Sequence, residues 1–518
     1  MKKMKKIKTN KIYKITAVLF LSVITMGTLS SCSTDNITDV QNKGAFDSEN
    51  FYQNRDQAFQ ALVATYDPIG KYAAGFENML TFFNAASDDF YAGGGSNSDG
   101  AGIQGFSNYS IDPIIMPQSY WNIYFQGISR ANTLVEKLPA VPMDANEKAR
   151  FNAEALTLRS MYYFELLRMF KNIPLILKPI QATDNYYNIP QEDPKKIYQQ
   201  IEADLLAAIP ILPSTVASGD RGRLTQGAAK ALLGKIYLYD GKKDLAAAQF
   251  ADVNGTPGGT SQYGYKLLAN YNDLWDFKNK FNSESVFELV CTSNANVDWG
   301  GWGSGRDRGN SVNQMVGPRS FQRTTAGIEA KVKDVYSGGW AFNTVTEDLY
   351  NFMLGDPRMD ATIYNAKKLK ADGYVDYAPA YKDTGYFLNK FLPTQADRTT
   401  GTGNTELNFS QDVYIIRLAD TYLMEAEALN GSGARAQALL DAVRQRVGLS
   451  SVPVSMQAIK DERRRELAGE GHRWFDLVRW GDAPIVLGNR GFKPNKNEIL
   501  PIPYKELINT VIKQNPGY

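Results

Sequence analysis

The spacing of small and aromatic residues in one segment predicts two closely packed helices. In "ALLGKIYLYDGKKDLAAAQF", Leu233-Gly234-x-x-Tyr237 is followed by Ala246-x-x-x-Phe250. Small side chains at Gly234 and Ala246 let two antiparallel helices approach each other, and the aromatic rings fill the space beside them. A chain with this pattern is expected to build its core from helix pairs.

That spacing is typical of the tetratricopeptide helix pair. The same twelve-residue offset returns at Ala426 and Ala438, without the aromatic residues. The segment "FNAEALTLRSMYYFELLRMF" carries apolar residues on more than one helical face and is expected to be a buried helix that ends before Pro174. The sequence therefore predicts an all-α fold on a tetratricopeptide-like helical-repeat scaffold, with an unrelated helix bundle as the alternative.

Two segments interrupt the helical periodicity. Residues 91–110 and 292–319 are rich in Gly, Ser and Asn with scattered aromatic residues, and they are predicted to be long surface loops. Loops of this length are usually functional or disordered. We therefore expect loop-rich insertions near 84–115 and 290–410 to elaborate the helical scaffold and to bind a ligand.

The loop residues favour binding of a sugar. A sugar ring presents an apolar face that packs on an aromatic ring, while its hydroxyls need Asp, Asn and Arg partners to replace water. The candidate ligand-binding residues are Asp88, Asp89, Phe90, Tyr91 and Asn97 in the first insertion, and Trp299, Trp302, Arg306, Asp307 and Trp340 in the second.

The first residues predict export. A lysine-rich start and a short apolar run lead to "LSSC" ending at Cys32, which resembles the lipobox of bacterial lipoprotein precursors, so Cys32 is the expected site of lipidation. The alternative is an ordinary signal peptide with a chance cysteine. The predicted boundaries are a signal peptide over 1–31, a lipid-proximal tether over 32–45 and a single domain over 46–518.

Charge and cysteine content argue against a nucleic-acid-binding protein and against a disulfide-rich protein. The first 31 residues hold seven lysines and no acids, so their removal leaves 50 basic against 55 acidic residues and a net charge near −5. A basic nucleic-acid footprint is therefore not supported. Two cysteines in 518 residues build no disulfide framework.

Common catalytic patterns are missing. There is no G-x-S-x-G, no H-E-x-x-H, no phosphate loop and no EF-hand loop. The one histidine, His472, has no partner that would make it a metal ligand or a base, and no cofactor or metal is expected. A glycoside hydrolase remains an alternative because that chemistry needs only two carboxylates, for which Asp88, Asp89, Asp356 and Asp360 are available.

Residues 458–482 predict one helix whose acids and bases pair with each other. We interpret its acidic residues as ion-pair partners and not as a catalytic set, and we expect Arg473, Arg479 and Asp476 to tie the helix to residues 500–503.

The stretches "DVYIIRLADTYLMEAEALN" and "AIKDERRRELAGEGHRWFDLVRWGD", with the closing "NEILPIPYKELINTVIKQNPGY", resemble the SusD/RagB family, the outer-membrane nutrient-binding lipoproteins of Bacteroidetes. Earlier stretches such as "YWNIYFQGISRANTLVEKLP" look like the same family in the expected order. The resemblance covers essentially residues 46–518.

The resemblance implies a binding protein and not an enzyme. Its helical scaffold would dock against a TonB-dependent, SusC-like transporter, and its loop-rich face would bind an oligosaccharide and pass it inward. The protein would be lipid-anchored in the outer membrane and exposed on the cell surface. Peptide binding in the same kind of uptake system remains an alternative, and a purely structural adaptor is disfavoured by the aromatic loops.

Overall fold

The computed structural model describes residues 51–181, 183–302 and 307–518. The predicted signal peptide, the tether, Cys32 and Arg306 lie outside the described residues. From Asn54 to Tyr518 the chain forms one unit, built mainly of helices, so the predicted all-α class is confirmed. In the first half of the chain the helices are α1 (Arg55–Tyr66), α2 (Met79–Ala86), α3 (Ala101–Asn108), α4 (Ser119–Lys137), α5 (Ala145–Phe170), α6 (Pro194–Ala208), α7 (Gln226–Tyr239) and α8 (Lys243–Asn254).

Short helices and strands fill the middle of the chain, and longer helices return near its end. The helices there are α9 (Ser311–Val316), α10 (Thr325–Glu329), α11 (Glu347–Met353), α12 (Met359–Thr362), α13 (Ala366–Ala371), α14 (Leu418–Ala428), α15 (Gly433–Arg446), α16 (Met456–Glu466), α17 (Arg473–Trp480) and α18 (Ala483–Leu487). The strands are β1 (Ser285–Leu289), β2 (Arg319–Arg323), β3 (Ile363–Asn365), β4 (Val375–Ala378), β5 (Tyr386–Leu388) and β6 (Val413–Arg417).

The long helices pack in succession. Helix α1 packs on α4, α4 on α5, α5 on α6, α6 on α7 and α7 on α8; α8 then packs on α14, which packs on α15 and α16. The strands pair antiparallel as β1–β6, β2–β4 and β3–β5. The sheet β1–β6 places Ser285 opposite Arg417 and Leu289 opposite Val413, and so attaches the middle of the chain to the start of α14.

The predicted helix pair forms as α7 and α8. A Cβ atom added at Gly234 would lie 2.8 Å from the ring of Phe250, so the glycine is what allows the two helices to approach this closely. Ala246 is fully buried in the same contact region. The second pair forms as α14 and α15, but there Ala438 is exposed and Ala436 is the buried small residue.

The long helix α5 is buried on several sides, as its pattern predicts. Asp144 caps it by accepting hydrogen bonds from the backbone N–H groups of Asn146 and Glu147. It ends at Phe170, before Pro174, and Lys171 then takes a φ of +62°. Helices α4 to α8 and α14 to α17 share the main hydrophobic core.

Three expectations are corrected by the structure. The segment 458–482 is not one helix, because Gly469 and Gly471, with φ of +82° and +79°, turn the chain between α16 and α17. Within the segment Asp476 pairs with Arg463 and Arg479, but Glu462 and Glu466 pair with arginines outside it. Arg473 pairs with Asp88 and Arg479 also with Glu427, not with residues 500–503. The glycine-rich segments also contain the helices α3 and α9, and every residue of α9 is buried.

Candidate functional site

Three tryptophans from two loops come together. The rings of Trp299 and Trp340 are stacked with centroids 6.0 Å apart and an angle of 25°, and Trp302 meets them edge-on at 5.4 and 5.8 Å. Trp299 is 44% exposed, and Trp302 and Trp340 are half-buried. The result is a cluster of three packed indole rings that is partly exposed to solvent.

The cluster borders a cavity of about 550 Å³, which we call the tryptophan cavity. Its wall combines aromatic rings with hydroxyl and charged groups. The lining residues are Phe76, Asp99, Trp302, Arg319, Ser320, Ser337, Gly338, Gly339, Trp340 and Phe342. The volume lies in the range of ligand pockets of proteins.

A carboxylate and a guanidinium lie side by side in this wall. Asp99 accepts a hydrogen bond of 2.7 Å from the backbone N–H of Gly95. A Cβ atom at Gly95 would lie 2.5 Å from Nη1 of Arg319 and 3.3 Å from Oδ2 of Asp99. The missing side chain of Gly95 therefore gives both charged groups their room beside the aromatic rings.

The loop that carries Trp340 is fixed to α9. The backbone N–H of Trp340 donates to the carbonyl of Gln314 at 3.0 Å, and the Gln314 side chain donates to the carbonyl of Gly338. Gly339 contacts Gly317 so closely that an added Cβ would lie 2.3 Å from the carbonyl of Gly317. Since α9 is itself buried, the Trp340 ring is held by the core.

Most of the candidates in the first insertion have other partners. Asp88 accepts hydrogen bonds of 2.8 and 2.9 Å from Arg473, and Asp89, fully buried, accepts one of 2.7 Å from Arg464. Phe90 is 1% exposed. These three side chains do not line the tryptophan cavity, because α16 and α17 draw the carboxylates into ion pairs and the ring into the core.

Burial affects the two carboxylates differently. Burial alone would raise the pKa of Asp88, but the guanidiniums of Arg473 and Arg464 hold it below its usual range. For Asp89, burial raises the pKa above its usual range despite the nearby Arg464. Both carboxylates serve to attach the first insertion to the C-terminal helices.

The other candidates take different positions. Tyr91 is half-buried between Lys382 and Arg490, whose charged groups lie 5.0 and 5.1 Å from its ring centroid. Asn97 is exposed, two residues before Asp99. Asp307 lines a second cavity that adjoins the first.

Sequence reasoning missed Phe76, Asp99 and Arg319. Asp99 lies in the same glycine-rich segment as Asn97, and Arg319 ends the second one, so both were within the segments that composition singled out. Phe76 lies outside them, in the chain before α2, and no pattern in the sequence marks it.

The potential catalytic groups differ in exposure: Asp356 is buried, His472 is half-buried and Asp360 is exposed. Burial lowers the pKa of His472 to about 4, so its imidazole is neutral at pH 7. Asp356 accepts hydrogen bonds of 2.9 and 2.8 Å from the guanidinium of Arg358. Within the ranges that the structure describes, no three His, Cys, Asp or Glu side chains are grouped so as to bind a metal ion.

No helix in the described part of the chain combines the length and the apolar character needed to cross a bilayer.

Comparison with known proteins identifies relatives over almost the whole chain. Residues 283–498 match the family model described as the SusD family, and residues 41–238 match one described as "starch-binding associating with outer membrane". SusD-like protein P25 of Formosa agariphila is 26% identical over 91% of this chain and 94% of its own length.

Solved structures share the fold. A laminarin-binding SusD-like protein is 57% identical and superposes with a TM-score of 0.88 over 90% of this chain and 100% of its own. Surface glycan-binding protein A of Bacteroides thetaiotaomicron is 25% identical, with a TM-score of 0.79 over 90% of this chain and 100% of its own.

Proposed function

Since this chain belongs to the SusD family, we propose that it is a surface glycan-binding protein that binds a laminarin-type glucan in the tryptophan cavity. The observation that supports this most directly is the cavity wall, where Trp302 and Trp340 lie beside Asp99 and Arg319. Indole rings pack on the apolar faces of sugar rings, and the charged pair supplies acceptors and donors for their hydroxyls. The laminarin-binding relative at 57% identity supports this ligand class.

Binding without hydrolysis is the proposed activity. Glycoside hydrolysis needs a pair of carboxylates that flank the scissile bond. Among the described residues that line the tryptophan cavity, Asp99 is the one carboxylate. Of the acids considered in the sequence, Asp88, Asp89 and Asp356 are ion-paired with arginines, and Asp360 does not line the cavity. The two solved structures reported above are likewise named for binding.

The protein would act at the outer membrane. The description of the family that matches residues 41–238 supports association with that membrane, and a lipid on Cys32 would supply the attachment. We propose that the bound glycan passes to a TonB-dependent, SusC-like transporter. In the anchoring test, Cys32→Ala is expected to move the protein from the membrane fraction to the soluble fraction of lysed cells; retention in the membrane would contradict lipidation at Cys32.

The binding proposal is tested by isothermal titration of the mature protein with laminarin. The double variant Trp299→Ala, Trp302→Ala is expected to weaken binding by about 1–3 kcal/mol if the rings stack on the ligand. Tyr504→Ala is the control, because Tyr504 is a 55% exposed aromatic residue that does not line the cavity.

Unchanged affinity of the folded double variant would remove these rings from the site. Absence of laminarin binding by the unaltered protein, together with binding of an unrelated glycan or an extended peptide, would overturn the proposed ligand class. Release of reducing sugar during the titration would overturn the proposal that the protein only binds.

A further inference from the structure

A second cavity adjoins the tryptophan cavity. It has a volume of about 500 Å³, and Phe76 and Trp302 line both cavities. We call it the lysine cavity because Lys71 lies in its wall. Its other lining residues are Asp67, Pro68, Gly70, Ala74, Gly75, Glu77, Ser119, Ile123, Gln126, Arg130, Asp307 and Arg308. The two cavities therefore share a boundary at Phe76 and Trp302.

The lysine is unusual because it is buried beside an open space. Lys71 is 5% exposed, and its Nζ donates to Oγ of Ser119 at 2.5 Å and lies 4.2 Å from the ring centroid of Tyr120. The Ser119 hydroxyl donates in turn to a carboxylate oxygen of Glu77. Among the described residues Ser119 is the one hydrogen-bond acceptor of Nζ, so the amine keeps donor capacity for a ligand beside the Tyr120 ring.

Burial of the Lys71 amine costs desolvation free energy, and packing alone does not explain why a lysine is present here. Burial lowers the pKa of Lys71 to about 7, although Glu77 counteracts this. A methionine would fill the same space without desolvating an amine. The neighbouring charges have partners, since Asp67 lies 3.4 Å from Arg130 and 2.8 Å from Arg308. The lysine, the hydroxyl and the carboxylate thus form a compact set of donors and acceptors in the cavity wall.

We propose that Lys71, Ser119 and Glu77 form a second subsite, which binds the hydroxyls of sugar units that extend beyond the tryptophan cavity. This inference rests on the proposed glycan-binding function. A lysine Nζ donor and a carboxylate acceptor joined through one hydroxyl match neighbouring hydroxyls on a sugar ring. The tryptophan cavity then binds the first units of the glucan, and the lysine cavity adds affinity for a longer chain.

The test compares two ligand lengths. The unaltered protein is titrated calorimetrically with laminaritriose and with laminarihexaose, and the hexaose is expected to bind at least tenfold more tightly. Lys71→Met is expected to weaken hexaose binding by about tenfold or more, as expected for loss of a hydrogen bond from a charged donor, and to change triose binding by less than about twofold. Ser119→Ala, which keeps the lysine but removes its hydroxyl partner, is expected to weaken hexaose binding in the same selective way.

The matched control is Lys235→Met, because Lys235 is also buried but does not line either cavity. It is expected to leave both affinities unchanged, and thermal unfolding of each variant verifies that it is folded. Equal weakening for both ligands in Lys71→Met, no weakening for either, or equal affinity of the unaltered protein for both lengths would each overturn the second subsite. If the unaltered protein binds neither oligosaccharide, the proposed function itself fails, and the subsite fails with it.

Discussion

Arg358 is among the largest side chains that are completely buried. Its guanidinium donates to Asp356 at 2.9 and 2.8 Å, to Glu462 at 2.6 Å and to Glu466 at 2.8 Å. Burial alone would raise the pKa of Glu466, but Arg446, Arg417 and Arg358 hold it well below its usual range. Glu466 is therefore charged in the folded protein, and its charge depends on the guanidiniums beside it.

Arg358→Met should reduce the free energy of unfolding by about 3–5 kcal/mol, because it leaves buried carboxylates without a main partner. Urea denaturation followed by circular dichroism at pH 7 measures the change. The control is Lys368→Met, which removes an exposed ion pair with Asp372 and is expected to change stability by at most about 1 kcal/mol. Similar effects of the two variants would show that burial does not determine the contribution of Arg358.

At the candidate site, the structure brings the predicted tryptophans together, but it places the predicted acids Asp88 and Asp89 elsewhere. Trp299, Trp302 and Trp340 lie on loops rich in glycine, and the structure brings their rings together; contact with a ligand stays a prediction. The prediction that Asp88 and Asp89 bind ligand depends only on their residue type and on their position next to a glycine-rich segment. The partner of Asp89 is Arg464, 375 residues further along the chain, and no local pattern contains that pairing.

Among the elements, the helix pair α7–α8 could be predicted because its contact depends on a local spacing. Gly234 and Phe250 lie 16 residues apart, and the short connection between the helices brings them together. For α14–α15, the twelve-residue offset from Ala426 predicted Ala438 as the buried small residue, and this was wrong. The rotation of α15 about its axis is set by packing on α14, and this places Ala436 inside and Ala438 outside.

The short helices could not be predicted from their composition. The six-residue helix α9 is too short to form by itself in water, but Asn310 caps it by accepting from the backbone N–H of Val312, and all its residues are buried. Tertiary contacts therefore decide its conformation. Gly469 and Gly471 are a local signal for the turn between α16 and α17. The prediction of one helix was wrong because it gave more weight to the regular spacing of acids and bases than to these glycines.

Across the whole molecule, buried ionisable groups affect the free energy of unfolding in two opposite ways. Groups with a lowered pKa make the fold less stable as the pH falls, and a carboxyl group with a raised pKa makes it less stable as the pH rises. Burial alone would raise the pKa of Glu470 and Asp476, but neighbouring cations hold both below their usual values. Burial lowers the pKa of His472 to about 4. The two carboxylates stabilise the fold above the pKa values of the unfolded chain, and that contribution is lost as the pH falls. Protonation of His472 costs the folded state more than the unfolded chain, so it also lowers stability as the pH falls below about 6.5.

Glu288 makes the fold less stable as the pH rises. Burial, with a smaller contribution from the nearby Asp412, raises its pKa to about 7. One oxygen accepts a hydrogen bond of 2.8 Å from the backbone N–H of Phe281, while Asp412 pairs with Lys280 at 2.6 Å. Because the folded pKa exceeds the value of about 4.3 in an unfolded chain, the protonated group stabilises the fold most fully below about pH 4.3. That contribution is lost as the pH rises through 7.

Relative to the unaltered protein, Glu288→Gln should therefore gain about 1–3 kcal/mol in the free energy of unfolding between pH 5 and pH 8, because it lacks the loss that deprotonation of Glu288 causes. The amide has nearly the shape of the protonated carboxyl group but no proton to release. Urea denaturation at pH 5, 6, 7 and 8 measures the free energy of unfolding of both proteins. Glu329→Gln serves as the control, because Glu329 is exposed, and it should keep the pH dependence of the unaltered protein. If Glu288→Gln keeps that dependence as well, deprotonation of Glu288 is not its cause.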